Sequence, residues 1–273
     1  MRALAPPLHA LMLAILLAAA FLGSAAAAAD DLYQAQAIVT GEGEAERARG
    51  FALCLEAVLV KVSGDPRLQG DPAVAALQTE AAGFVAGFDY RDRMASIPVH
   101  DEQGTRDRPF DLTVAFDPPK IDAALRALGR APWLEPRPRL AVLLDVRDAM
   151  AAYVLAEDGE RGLGQRQALA AAAARRGIAM RLPSAAMLAA GHVTYGGLAA
   201  TPAPRLRALA RASGGDALLT GTLVWTEAAL GWTARWHLQW AGREYRWRIS
   251  GVSFDDAFRD AIDRTVAVLS GHG

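Results

Sequence analysis

Hydrophobic and polar positions fall into two successive blocks of alternating and helical periodicity. In the first block residues 32–40 alternate as a strand. Residues 44–63 place Phe51, Leu55, Val58 and Val62 on one face of an amphipathic helix that Gly64 stops. Asp71-Pro72 predicts the start of a second helix, with Val74, Leu77, Ala81, Phe84 and Phe88 at helical spacing. Residues 90–99 and 110–116 predict two strands, joined by a polar loop over 100–108. Asp117-Pro118-Pro119 opens a third helix with Ile121, Ala124, Leu125 and Leu128 inward, closed by Gly129.

The second block follows a proline-rich connection, Pro132-Trp-Leu-Glu-Pro-Arg-Pro138, whose composition predicts a semi-rigid hinge. Residues 140–146 are a near-continuous apolar run, as in a strand covered on both faces. A helix over 165–176, a strand over 178–182, a short helix capped by Ser184 and a helix over 204–212 come next. Three strands then close the block, over 217–226, 232–240 and 244–250, before a helix over 254–269 capped by Ser253. The last hairpin has the cleanest period of two. Trp232, Ala234, Trp236, Leu238 and Trp240 share one face with Tyr245, Trp247 and Ile249; Thr233, Arg235, His237 and Gln239 share the other with Glu244, Arg246 and Arg248. One face should be buried and the other wet.

The fold class that follows is α+β: a small amino-terminal α+β domain over 30–133, then an α/β domain over 134–273 with a mixed sheet, a Trp-rich antiparallel meander and a carboxy-terminal helix. Residues 1–29 have a different character. Arg2 precedes an uncharged apolar run over 11–23, then Ser24 and five alanines before Asp30-Asp31. This is the three-part pattern of a cleavable signal peptide, with cleavage expected after Ala29, so the predicted location is the periplasm. The competing reading is an uncleaved anchor, but its second half is almost entirely alanine and too weakly apolar to stay in lipid.

Charge is nearly balanced, with 29 basic and 30 acidic residues, which argues against a nucleic-acid partner. Cys54 is the sole cysteine, so no internal disulfide is possible, and its helical setting predicts a buried apolar role. His100, His192, His237 and His272 lack metal-ligand spacing. Gly159-Glu-Arg-Gly-Leu-Gly164 fails the dinucleotide fingerprint, since Gln167 stands at the third glycine position, and no P-loop or Gly-x-Ser-x-Gly elbow is present. No catalytic residue, metal ligand or cofactor is predicted.

Several segments together resemble the uncharacterised secreted family catalogued as domain-of-unknown-function family 2066. They are Leu55-Glu-Ala-Val-Leu-Val-Lys-Val-Ser-Gly64, Phe88-Asp-Tyr90, Phe116-Asp117, Trp133 before Arg137-Pro138, and Gly231-Trp-Thr-Ala-Arg-Trp236. That resemblance implies location and architecture, and no activity. At the level of fold, the second half is similar to modules of the curli-secretion lipoprotein and of the Tol amino-terminal type, which implies envelope assembly or partner binding rather than catalysis.

The surface best suited to a partner is the wet face of the last hairpin. Arg235, His237, Gln239, Arg246 and Arg248 would meet an anionic envelope component, such as lipid phosphate or an acidic protein patch. The plainer reading is a solvated face, or one packed on the amino-terminal domain. The expected function is a non-catalytic periplasmic binding or assembly module of the cell envelope, touching the membrane only through its signal peptide before cleavage. The competing classes are a hydrolase of an envelope polymer and a structural, oligomerising subunit.

Overall fold

A computed structural model of the chain describes residues 32–96, 108–134 and 136–273. The segment 1–29 read as a signal peptide, His100 and most of the polar loop lie outside the described residues. Two compact units are present. The first comprises the described residues up to Leu59 with Pro72–Gly129; the second comprises Val60–Asp71 with Arg130–Gly273.

In the first unit, β1 (Gln34–Thr40), β2 (Val85–Asp92) and β3 (Pro109–Phe116) form an antiparallel sheet in the order β1-β3-β2. Helices α1 (Glu44–Ser63), α2 (Pro72–Gln78) and α3 (Pro118–Ala127) accompany it. Phe51, Cys54, Leu55, Val58 and Leu59 are buried, as are Leu112, Val114 and Phe116 of the central strand and Ile121 and Leu125 of α3. Burial of Cys54 agrees with its place on the apolar side of the helix. Asp117 caps α3 by accepting a hydrogen bond from Lys120 N at 3.3 Å, with Pro118 in the first turn.

The second predicted helix needs correcting. It ends at Gln78, and a single 3₁₀ turn, Ala81–Phe84, leads into β2. Ala81, Phe84 and Phe88 do lie at helical spacing, but Gly83 and Gly87 weaken a helix. Pairing with β3 then takes over, with a register shift between Val85 and Gly87. Phe88 sits in the strand, 5.2 Å from Phe51 and 5.8 Å from Tyr90 between ring centroids. The strand expected over 90–99 accordingly begins at Val85 and stops at Asp92.

The second unit is built on a mixed sheet in the order β5-β4-β7-β8-β9, from β4 (Leu140–Arg147), β5 (Ala152–Val154), β7 (Ala217–Thr226), β8 (Gly231–Trp240) and β9 (Arg243–Val252). A two-residue strand, β6 (Met180–Arg181), pairs parallel with the start of β4, while β5 pairs antiparallel with its end. Strands β4 and β7 run parallel; β7, β8 and β9 form the antiparallel meander. Helices α4 (Leu163–Arg175), α5 (Ala185–Ala190), α6 (Ala203–Ala212) and α7 (Phe254–Leu269) complete the unit.

Alternation divides the sheet's two faces. Leu140, Val142, Leu144 and Val146 join Leu219, Leu223, Ala234, Trp236 and Leu238 in a core with Leu169 of α4 and Phe258, Ala261 and Ile262 of α7. On the opposite face Ala141, Leu143 and Leu218 pack with Leu188 of α5 and Leu206, Leu209 and Ala210 of α6. Ser184 and Ser253 cap α5 and α7 by accepting from Met187 N at 3.2 Å and Asp256 N at 3.1 Å.

Trp236 needs room in the middle of the sheet, and Gly221 supplies it. The two are register partners, and a Cβ on Gly221 would collide with the indole. Gly64 is required twice over, by a φ of +71° and by Trp133 and Ser270 crowding the place of a Cβ.

The proline-rich segment is tied down within the second unit. The Arg137 guanidinium lies 4.3 Å from the Trp133 ring centroid and donates to the carbonyls of Lys61 at 2.7 Å and Arg176 at 2.8 Å. These carbonyls lie at the ends of α1 and α4, where a cation also complements the helix dipole. Nearby, buried Asp65 accepts from Arg67 Nε at 2.8 Å and Arg130 Nε at 2.6 Å, and these charge-assisted bonds hold its carboxyl well below the usual range.

Candidate functional site

The sheet's helix-covered faces leave one corner open. β4 is buried from Leu140 to Val146, apolar but for Asp145, then ends on the exposed Arg147. Its neighbours β6 and β7 lie on opposite edges of it. The helix leading to β6, α4, packs on one face, while α5 and α6, leading to β7, pack on the other. Helix α4, after β4, and helices α5 and α6, after β6, thus cover opposite faces of the sheet, while β7 runs on into β8, and the carboxyl ends of β4 and β7 border a crevice beside the meander.

The meander extends that crevice sideways. One row of register partners runs Arg147, Val224, Thr233, Ser250; the next runs Asp145, Thr222, Arg235, Arg248. A cleft of about 510 Å³ opens over these rows. Its cations are Arg147, Arg235 and Arg248, from three different strands. Hydroxyls come from Thr222, Thr226, Thr233 and Ser250, and aliphatic surface from Val224, Ala228 and Ala229. Thr233 and Ser250 bond to each other at 2.7 Å between oxygens. Among the described residues none of the three arginines has a carboxylate within ion-pair distance.

The five residues selected from the sequence thus fall into two groups. Arg235 and Arg248 are direct partners on β8 and β9 and both line the cleft. His237, Gln239 and Arg246 lie further along the hairpin, outside its lining. Arg246 Nη2 donates to Glu244 Oε2 at 2.6 Å, and His237 Nε2 lies 3.4 Å from the same oxygen. Gln239 Oε1 is buried without a hydrogen-bond partner among the described residues. Glu244 neutralises that end of the face, whereas the other end stays uncompensated.

Arg147 was invisible to sequence reasoning because it ends an apolar strand remote in sequence from the hairpin. Asp145, two residues earlier, is another unforeseen feature. It is 4% exposed, and among the described residues only its Oδ2 has a partner, the Gly196 N–H at 3.0 Å. Burial pushes its carboxyl up to about 6. It does not line the cleft.

Chemically, the lining offers permanent cations and neutral hydroxyls. Arginine does not give up its proton near neutrality, so the cleft suits holding an anion better than shuttling protons. Elsewhere, the glycine-rich segment is closed on itself: Arg166 Nη1 donates to Arg161 O at 2.6 Å and Ala156 O at 3.3 Å, and Gly162 adopts a left-handed φ of +81° before α4. Among the described residues no cluster of His, Cys, Asp or Glu could hold a metal ion, and no helix is long and apolar enough to cross a membrane.

Fold and site together define an α+β protein whose mixed sheet carries an arginine-lined cleft. Residues 26–134 are similar to the family described as Domain of unknown function (DUF8605). This replaces the family number 2066 suggested by the sequence motifs and keeps the coarser statement of an uncharacterised domain. The cleft lies outside the matched segment. No curated protein matches the chain.

Proposed function

We propose that the protein is an exported, non-catalytic binding or assembly module of the cell envelope, and that it engages an anionic envelope component through the open face of its β8–β9 hairpin. The observation that carries this reading is the direct opposition of Arg235 and Arg248, both exposed and, among the described residues, both without a carboxylate partner. Like charges placed opposite each other on a sheet destabilise it, and a bound anion would reverse that effect. The neutral character of the remaining lining supports binding over catalysis.

The test is crosslinking capture of the protein's partner from periplasm, with the parent protein and with Arg235, Arg246 and Arg248 all replaced by alanine. The triple variant should fold normally and capture less partner, with the parent's capture weakening as salt is raised. Unchanged capture by a folded triple variant would remove this face from consideration.

A further inference from the structure

Resting on that reading, we infer that the cleft recognises a phosphate-type oxyanion attached to an uncharged body, and that Arg147 completes the site as its third guanidinium. Three observations lead to this chemistry. The first is position: Arg147 stands at the carboxyl end of β4, in the row of register partners that continues through Val224, Thr233 and Ser250 of the meander. A strand core and a hairpin face meet there, so the site draws its cations from β4, β8 and β9 at once.

The second is charge. Three arginines line one cleft, and among the described residues no carboxylate lines it with them. A single carboxylate engages one guanidinium fork and leaves the others repelling each other. A phosphate group carries up to two negative charges and three free oxygens arranged tetrahedrally, so it can accept from several forks together. Thr222 and Thr226 add hydroxyl donors suited to the same oxygens.

The third is size and the character of the remaining wall. A cleft of about 510 Å³ is far larger than phosphate itself. Beyond the arginines it offers Val224, Ala228 and Ala229, which would meet an uncharged portion of the ligand. A phosphate ester fits this description, whether as the headgroup of an anionic lipid or as a soluble phosphorylated metabolite. Asp145, in the same row as Thr222 and Arg235, is turned to the Gly196 N–H and does not enter the lining.

The experiment uses the purified protein and its Arg147→Met, Arg235→Met, Arg248→Met and Arg211→Met variants. Calorimetric titration with glycerol 3-phosphate tests the soluble ester. Co-sedimentation with phosphatidylcholine vesicles, with and without phosphatidylglycerol, tests the lipid headgroup. Saturable binding of either probe is expected. Each of the three cleft variants should weaken it about tenfold or more, while Arg211→Met, an exposed arginine of α6 outside the cleft, changes it less than about twofold. Arg147→Lys keeps the charge without the fork and should give an intermediate loss, which separates recognition from a folding defect in Arg147→Met. Binding to phosphatidylglycerol vesicles alone supports the inference and assigns the lipid; binding of glycerol 3-phosphate in solution supports it and assigns the soluble ester. Failure of both probes overturns the inference, as does binding that Arg147→Met and Arg147→Lys leave intact. Either failure leaves the broader reading standing if crosslinked capture still depends on Arg235 and Arg248; loss of that dependence as well would remove both.

Discussion

Alternate residues of β8 and β9 make two faces with opposite fates. On one, Trp236 is almost wholly buried, its ring centroid 6.2 Å from that of Phe258, and Trp232 lies 6.1 Å from Phe254. Helix α7 covers this side. On the other face α5 and α6 pack over Ala141, Leu143 and Leu218, while Arg235, Arg246 and Arg248 of the hairpin stay exposed. The same strands thus provide a scaffold on one side and a charged surface on the other. The stability of this region should accordingly reside in the tryptophan face, and its binding in the arginine face.

The largest effect expected from breaking that division is Trp236→Ala. Emptying the site should cost about 3–5 kcal/mol, read as a lower denaturant midpoint. A cost below about 1 kcal/mol would mean that α7 is not anchored there.

Asp145→Asn should act in the opposite direction and depend on pH. The carboxyl is raised from 3.8 to about 6 by burial, so between those values the folded protein holds a proton that the unfolded chain has lost. The stability linked to this group is fully present below 3.8 and is lost as pH rises through about 6. Asparagine cannot ionise, so the variant should be more stable than the parent by about 2 kcal/mol at pH 8, the gain shrinking towards pH 4. Thermal unfolding at the two pH values measures this. An equal effect at both would show that the carboxylate is not the cause.

Next in size is Gly221→Ala, which places a Cβ against the Trp236 ring and should cost about 1–3 kcal/mol. Combined with Trp236→Ala, the two costs should be markedly less than additive, because they concern one contact.

The smallest effect belongs to the charged face. Arg248→Thr should shift stability by no more than about 0.5 kcal/mol, and any change at low salt should be a gain, since it removes a like charge opposite Arg235. A large loss would place Arg248 in a structural contact and blur the division between the two faces.

The first unit shows where periodicity misleads. Ala81, Phe84 and Phe88 repeat as in a helix, yet Phe88 belongs to a strand because β3 offers its neighbours backbone partners. Spacing in sequence records which side chains could share a face, and carries no record of a distant strand's competing hydrogen bonds. The segment over 178–182 shrinks to Met180–Arg181, which pairs only with Leu140 and Ala141 at the start of β4, while β5 pairs with its end. The three-residue β5 itself is too short to leave a periodic trace.

What the sequence determined by itself was local and periodic. Caps at Asp117, Ser184 and Ser253, the helix stop at Gly64 and the two-faced alternation of the hairpin depend on a few adjacent residues, and the geometry of one turn or strand dictates them. Arg235 and Arg248 were legible for the same reason, since period two puts them on one face. The pairing of Arg246 with Glu244, two residues away on the same face, is local as well, and only the tertiary structure decided that Arg147 would join the other two arginines. The parallel register of β4 against β7 brings Arg147 into the row of Val224, Thr233 and Ser250, and helix coverage stops short of that corner. A site assembled across three strands rests on register and on what is left uncovered, and both are properties of the packed sheet rather than of any stretch of chain.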